Sequence, residues 1–551
     1  MTIGNAQVLD KIRTIPTQPF DDQRPGTSGL RKKVVQFQSD NYLENFVQSV
    51  FDAIPEAQRD CLVVGGDGRY FNQAAAQTII KMAAANGFNK VMVGQNALLS
   101  TPAVSNLIRG YNATGGIVLS ASHNPGGPHH DFGIKFNNAN GSPAPENVTE
   151  QIFSNTKSIQ SFKIADIGAI ELSHPGSQRV MQMELEVVDS VTDYLNTMQQ
   201  CFDFDLLRDA FQSGELSVCF DAMHAVTGPY AQRILTETLA ADASSLMNAT
   251  PLEDFGGGHP DPNLVHARAL FEKMSKPGAA SLGAASDGDG DRNLILGPNI
   301  FVTPSDSLAL ITAHAHHIPQ FSAGLSGVAR SMPTSTAVDR VAKAMNLPCY
   351  ETPTGWKYFG NLLDDGRINL CGEESFGTGG DHVREKDGLW TVLAWLSILA
   401  ALKRPVAEIV HEHWHTYGRN FYCRHDFEEI PISQANELMG NLLQSLPQLC
   451  GSSCHGFEIE DAREFEYVDP VDQSISSNQG VQIFFKNGSR VVYRLSGTGT
   501  SGATLRMYVE RFSEIGFDED AIESNSMLAG AGAQIARIHH FTGREGATVV
   551  T

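Results

Sequence analysis

Asp287, Asp289 and Asp291 are spaced two residues apart and joined by Gly288 and Gly290. In extended backbone, alternate residues point the same way, so these three carboxylates can converge on one point. The glycines leave the chain free to bend around whatever sits there. Anionic oxygen donors held this close repel one another unless a cation neutralises them, and hard ligands of this type suit Mg²⁺. Three protein ligands leave such an ion open positions for a phosphate. An EF-hand loop beginning at Asp287 would need Gly and Glu where this chain has Arg292 and Pro298, so that alternative fails. A solvated acidic turn is the competing reading. Arg292, a fixed cation able to bind phosphate oxygens two at a time, favours the metal site.

A second segment, Ser120-Ala121-Ser122-His123-Asn124-Pro125, follows the apolar run Gly116–Leu119, which reads as a buried strand. Ser122 is a candidate nucleophile, and its weak hydroxyl needs a base or a metal. His123 and Lys135 are the nearby groups that could help. The G-x-S-x-G elbow of a hydrolase is absent, which disfavours an acyl-enzyme triad.

Towards the C-terminus, Val481–Phe485 and Ser489–Leu495 flank Asn487-Gly488, a strong hairpin signal. The stretch Arg494-Leu495-Ser496-Gly497-Thr498-Gly499-Thr500-Ser501-Gly502 combines glycines, hydroxyls and a cation. It can aim backbone N–H groups at a phosphate, with Arg494 and Arg506 strengthening that reading over a flexible turn. Glu373, Glu374 and Ser375 follow the predicted strand Ile368–Cys371. They supply acceptors and donors suited to sugar hydroxyls, or a solvated rim. The charged stretch Asp381–Gly388 offers a further substrate contact through Lys386.

Taken together and in this order, the motifs resemble the α-D-phosphohexomutase superfamily, nearly from end to end. The resemblance includes Arg24-Pro25-Gly26-Thr27-Ser28-Gly29-Leu30-Arg31, Pro353-Thr354-Gly355-Trp356-Lys357, Cys371–Gly377 and Arg494–Gly499. It implies that Ser122 carries a phosphoryl group and that Asp287, Asp289 and Asp291 hold one Mg²⁺ together with a phosphoserine oxygen. It places His123, Lys135 and Arg292 at the reacting phosphate. Substrate contacts would come from Thr27, Arg31, Arg292, Thr354, Gly355, Glu373, Ser375, Lys386, Arg494, Ser496, Gly497, Thr498 and Arg506. The implied reaction moves phosphate between O1 and O6 of glucose, with glucose 1,6-bisphosphate as intermediate and activator. Mannose phosphates are the alternative substrates. An inactive structural relative is a third reading, argued against by the intact Ser122, aspartates and Arg494.

The elements that must position these residues alternate between strand and helix. Cys61–Val64 leads to a helix capped at Asn72, Lys90–Val93 to a helix starting at Thr101-Pro102, and Leu216–Asp221 to a helix after Gly228-Pro229. Val328–Arg330, Pro348–Thr352 and Ile368–Cys371 continue the pattern. This predicts α/β layers, with an α+β C-terminal portion. No repeat is obvious at the residue level. The resemblance implies three α/β domains of related topology and a fourth α+β domain around a central cleft: 1–195, 196–302, 303–418 and 419–551. The fourth is expected to move most, on a tether near Tyr417–Phe421.

Length and composition agree with this organisation. A chain of 551 residues is too long for one core, and 41% hydrophobic residues can fill several. A net charge of −22 argues against nucleic acid and anionic membrane as main partners and requires local cations to attract an anionic substrate. The eight cysteines show no disulfide framework, no signal peptide is evident, and Leu389–Leu402 is too short to span a bilayer. A cytoplasmic, soluble monomer is expected. His411, His413 and His415 lack the H-E-x-x-H zinc pattern and, like His314, His316 and His317, are read as structural or exposed. Gly65-Gly66-Asp67-Gly68 is a strand-to-helix connection, lacking the order of a dinucleotide fingerprint.

Overall fold

The computed structural model describes residues 11–26, 28–499 and 502–551, without the side chains of Lys11 and Thr498. Thr27, Thr500 and Ser501 lie outside the described residues. One four-strand pattern appears three times along the chain. In the first instance Lys90–Leu98, Cys61–Gly66 and Gly115–Leu119 lie parallel, and Asp131–Asn138 runs back antiparallel. In the second, Leu246–Met247, Val218–Asp221 and Leu282–Ala285 are parallel, with Leu294–Gly297 antiparallel. In the third, Cys349–Thr352, Val328–Ser331 and Leu370–Glu373 are followed by antiparallel Gly377–Gly380. Each places the chain's first strand between the second and third. The turn from third to fourth strand therefore emerges at the equivalent sheet edge every time. These three turns carry Ser122, the three aspartates with Arg292, and Glu374-Ser375.

The first sheet is extended to seven strands and the second to five. The three-fold relation was invisible as a residue repeat because the shared feature is burial and strand order, which many apolar sequences satisfy. The C-terminal sheet differs: seven strands, antiparallel throughout, with Arg490–Gly499 and Gly502–Ser513 flanking the glycine-rich turn. Helices Ile432–Leu449 and Ala521–Ile535 help bury this sheet's own core, which includes Ile483, Val491, Leu505 and Leu528.

Apolar contacts join the first three units into one platform. A continuous core runs from Val63 and Val104 through Phe220 and Ile295 to Val328 and Trp395. At its centre is the helix Gly388–Leu402, capped by the Asp387 carboxylate accepting from Trp390 N and buried on nearly every face. A helix apolar all round belongs in a core, as the sequence suggests for Leu389–Leu402. Among the described residues no helix is long and apolar enough to cross a membrane. All eight cysteines are free.

Several expectations shift in detail. Phe71, in left-handed conformation, occupies the N-cap position expected for Asn72, and Asn72 is the first residue of its helix, its amide donating to Ala97 O. The strand expected at Ile368–Cys371 is Leu370–Glu373, because pairing of Glu373 with Gly377 draws the acidic residue into the ladder. The helix after Gly228-Pro229 begins at Thr227 and widens to a π-helical segment over Gln232–Thr238. Residue 195 falls inside the helix Thr192–Cys201, whereas 302 ends the strand Ile300–Val302 and 418 separates a helix from the strand Arg419–Ile430.

Candidate active site

The turn residues meet in one cavity of about 260 Å³. Its lining includes Arg31, Ser122, Lys135, Asp289, Asp291, Arg292, Thr354, Gly355, Glu373, Ser375, Lys386, Arg494, Ser496 and Arg506, residues drawn from all four sheet units. Asp287 lies directly behind Ser122, and His123 is set off the cavity wall. Gly497 continues the strand Arg490–Gly499. Thr27 and the Thr498 side chain are outside the described part of the molecule.

Ser122 is 3% exposed and sits at φ +53°, a left-handed conformation uncommon for a serine. Its neighbours hold it there. Its N–H donates to Ser120 Oγ at 2.7 Å, and Ser120 Oγ donates to Asp67 Oδ2 at 2.6 Å. Asp67 is bound to Arg69 at 2.8 Å, and Arg69 Nη2 donates to Ser122 O at 2.7 Å. Both charged side chains are fully buried. The serine hydroxyl itself donates to Asp287 Oδ2 at 2.7 Å.

The aspartate turn touches the serine turn so closely that a Cβ on Gly288 would fall 2.4 Å from Ser122 O. Only glycine permits that approach. Thr101, at the start of its helix, donates from its hydroxyl to Asp289 Oδ2 at 2.6 Å and from its N–H to Asp289 O. Lys386 Nζ reaches Asp291 Oδ2 at 2.9 Å. Arg292 pairs in backbone register with Gly377, docking the second unit's turn against the third.

Ligand oxygens of Asp287, Asp289 and Asp291 all lie within 4.8 Å of one another, and all three residues are buried. Asp289 Oδ1 and Asp291 Oδ1 are buried without hydrogen-bond partners. Burial and the charges of Asp289 and Asp291 push the Asp287 carboxyl well above the usual range. Burial also opposes the charge on Asp289, but Lys135, the Thr101 hydroxyl and Lys386 overcome it and hold that carboxyl low. Buried, under-satisfied, hard oxygen donors at this spacing fit a divalent cation.

Opposite charge surrounds this centre. Arg292, then burial and Arg31, depress the His123 imidazole to about 2, which keeps it neutral. Lys135 Nζ lies 2.6 Å from Glu385 Oε1, and burial raises the Glu385 carboxyl. Glu373 Oε1 accepts from Gly355 N at 2.9 Å, and burial raises its carboxyl as well. On the C-terminal side, Arg424 bridges Glu374 and Asp426 while Arg506 lies 3.8 Å from Asp426. The Nε atoms of Arg31, Arg292 and Arg506 are buried without acceptors, as expected of cations arranged for an anion.

Sequence reasoning missed Asp67, Arg69, Thr101 and Glu385 as parts of this site. Glu385 is adjacent to Lys386 in a stretch already marked by charge. An Asp and an Arg two residues apart at the end of a buried strand were also a signal, since such residues are rarely buried unless paired.

The chain matches the Phosphoglucomutase/phosphomannomutase family in alpha/beta/alpha domain I over residues 22–163, domain II over 192–299 and domain III over 304–417. Residues 419–548 match the C-terminal domain of Phosphoglucomutase-1. The chain belongs to the phosphoglucomutase/phosphomannomutase family, within the α-D-phosphohexomutase superfamily, a family of enzymes. It is 55% identical to a phosphoglucomutase of Rhizobium radiobacter, covering 98% of this chain and all of that one. A cytoplasmic phosphoglucomutase of Populus tremula is 50% identical, covering 99% of this chain and all of that one. A chloroplastic phosphoglucomutase of Marchantia polymorpha is 51% identical, covering 98% and 85% respectively. Among solved structures, the open form of parafusin, a phosphoglucomutase from Paramecium, superposes with a TM-score of 0.92 at 48% identity, covering 98% of this chain and 99% of that one.

Proposed function

We propose that the protein interconverts α-D-glucose 1-phosphate and glucose 6-phosphate through a phosphorylated Ser122. The observation that carries this reading is one cavity lined by two separate sets of anion-binding groups. Ser122, Arg31 and Arg292 form one set; Arg494, Ser496 and Arg506 form the other. A hydrolase needs only the first, whereas a mutase must also hold the phosphate that is not reacting.

In this reading the bond between phosphorus and Ser122 Oγ breaks as a bond to a free sugar hydroxyl forms, giving glucose 1,6-bisphosphate. The sugar turns, and Ser122 Oγ takes the phosphoryl group from the opposite end. In-line transfer of this kind depends on positioning and charge neutralisation. Ser122, Asp287, Asp289 and Asp291 would hold one divalent cation, in our reading Mg²⁺, which neutralises charge on the phosphoryl group when bound. Arg292 and Arg31 orient the reacting phosphate, and Arg494 and Arg506 hold the distal one. Glu373 and Ser375 read sugar hydroxyls, with Thr354 and Gly355 beside them. We assign proton movement at the sugar hydroxyl to Lys135, which lines the cavity against Glu385, rather than to His123, which does not.

The assignment needs no residue from a second subunit, so the reading takes a monomer as sufficient for activity. The same reading divides the chain near 195, 302 and 418; the family matches support it, with the first cut better placed ahead of the helix at 192. A cytoplasmic location is supported by the Populus relative, against the chloroplastic relatives of equal similarity.

A glucose-6-phosphate dehydrogenase couple, run with Mg²⁺ and a trace of glucose 1,6-bisphosphate, tests the function. We expect rapid turnover of glucose 1-phosphate and much slower turnover of mannose 1-phosphate, the latter followed by product separation. Equal rates would overturn the glucose preference, and no turnover of either would overturn the mutase reading.

A further inference from the structure

The C-terminal sheet has a second face, away from the substrate. Along the strand Arg419–Ile430, Arg424 and Asp426 turn to the substrate side, reaching Glu374 and Arg506. His425 and Phe427, alternating with them, line a separate groove. The neighbouring strand repeats the pattern: Arg506 lines the substrate cavity, while Met507, directly across from His425, lines the groove.

This groove has a volume of about 540 Å³, within the range of small-molecule sites, and is larger than the substrate cavity. It is bounded by the helices Ala521–Ile535 and Ile538–Thr542. Phe427, Met507 and Ile538 form its buried floor, and Ala533 and Ala547 its accessible apolar wall. Arg537, Arg544 and three histidines also line it, against one carboxylate, Glu545. Among the described residues Arg537 has no carboxylate partner. Arg544 spends its guanidinium on Glu428 O and on Thr548 Oγ1 at 2.9 Å. Glu545 is 3.6 Å from His539 rather than beside either arginine. In a chain of net charge −22, an apolar hollow with this cationic rim favours an anion locally against the overall field.

We propose that this groove binds a soluble organic anion with an apolar body, and that its occupancy alters the grip of Arg506 on substrate one sheet-thickness away. The apolar body would lie on Ala533 and Ala547, above the buried Phe427 and Met507, with its acidic group at Arg537. The route to Arg506 is short, since Met507 and His425 are the direct chain neighbours of Arg506, Arg424 and Asp426. The binding itself does not depend on the mutase reading, and only the effect on substrate does.

The test uses 8-anilinonaphthalene-1-sulfonate as the probe anion on the full chain. One saturable fluorescent site is expected, weakened at least fivefold by Arg537→Glu and abolished by Ala533→Trp. Neutral N-phenyl-1-naphthylamine should bind at least fivefold more weakly than the sulfonate. Arg537→Glu changes an exposed side chain, so it remains informative should Ala533→Trp fail to fold. Binding unchanged by Arg537→Glu, or abolished outright by saturating glucose 1,6-bisphosphate as a shared site would require, would overturn the site, whereas a shift of a few fold is the reciprocal of the coupling. Sedimentation with phosphatidylglycerol vesicles that depends on Arg537 would overturn the soluble ligand in favour of a lipid. At probe saturation, KM for glucose 1-phosphate should shift at least twofold in the wild type and not in Ala533→Trp. An unchanged KM would overturn the coupling to Arg506.

Discussion

Ser122 owes its position largely to two charged residues, Asp67 and Arg69, that lie outside the lining of the substrate cavity. Arg69 and Asp67, both fully buried, fix its carbonyl and, through Ser120, its N–H. Removing one partner of a buried ion pair strands the other charge, at a cost of about 3–5 kcal/mol. Arg69→Met should therefore lower urea stability by about that amount. It should also lower kcat by about 10²-fold, the scale expected when a reacting group is misplaced by an ångström. Urea melts and the coupled assay check both, and a stable variant with wild-type kcat would contradict the role. The reacting residues themselves were legible in the sequence, because chemistry requires particular residue types at fixed spacing around Ser122 and Asp287. Asp67 was only half legible: Arg69, two residues on, is a sequence signal, but Ser120 becomes its partner only when two strands lie side by side.

At the scale of elements, three equivalent turns converge because the same strand order recurs three times. Their closeness is set by small features such as Gly288. Gly288→Ala would place a Cβ 2.4 Å from Ser122 O and force the two turns apart. We expect a fall in kcat of about 10²-fold with circular dichroism unchanged; activity within twofold of wild type would contradict the close approach. Strands and the buried helix were readable from apolar runs and caps such as Asp387. Boundaries were less so. The burial of Glu373 depends on its ladder partner Gly377, and the left-handed cap at Phe71 belongs to tertiary packing rather than to local preference.

Across the whole molecule, the fourth sheet is tied to the platform by buried charge. Arg490 reaches Glu510, Glu351 and the carbonyls of Met332 and Thr334, while Glu510 accepts from Ser335 and Thr336. Closure of the fourth domain would pivot beside these contacts, and small-angle scattering should show compaction on adding glucose 1,6-bisphosphate; identical profiles would count against it. Acid sensitivity should come from the platform instead. Burial, with His314 nearby, depresses His413 to about 3. Below the unfolded value of 6.5 the unfolded chain binds a proton that the folded chain refuses, so stability falls with pH through that window. The loss is about 2 kcal/mol between pH 6.5 and 5, and His413→Leu should remove that share of it, as measured by urea melts at the two values. An equal loss in the variant would contradict the assignment.

The central claim is that Ser122 carries the phosphoryl group. The direct measurement is intact-mass analysis and peptide mapping after incubation with glucose 1,6-bisphosphate and Mg²⁺, for wild type and Ser122→Ala. One phosphoryl group on Ser122, still present after turnover of glucose 1-phosphate because each cycle returns it, and absent from the variant, is the predicted result. A wild-type chain that turns over substrate with its phosphoryl group on another residue, or with none, would contradict the account.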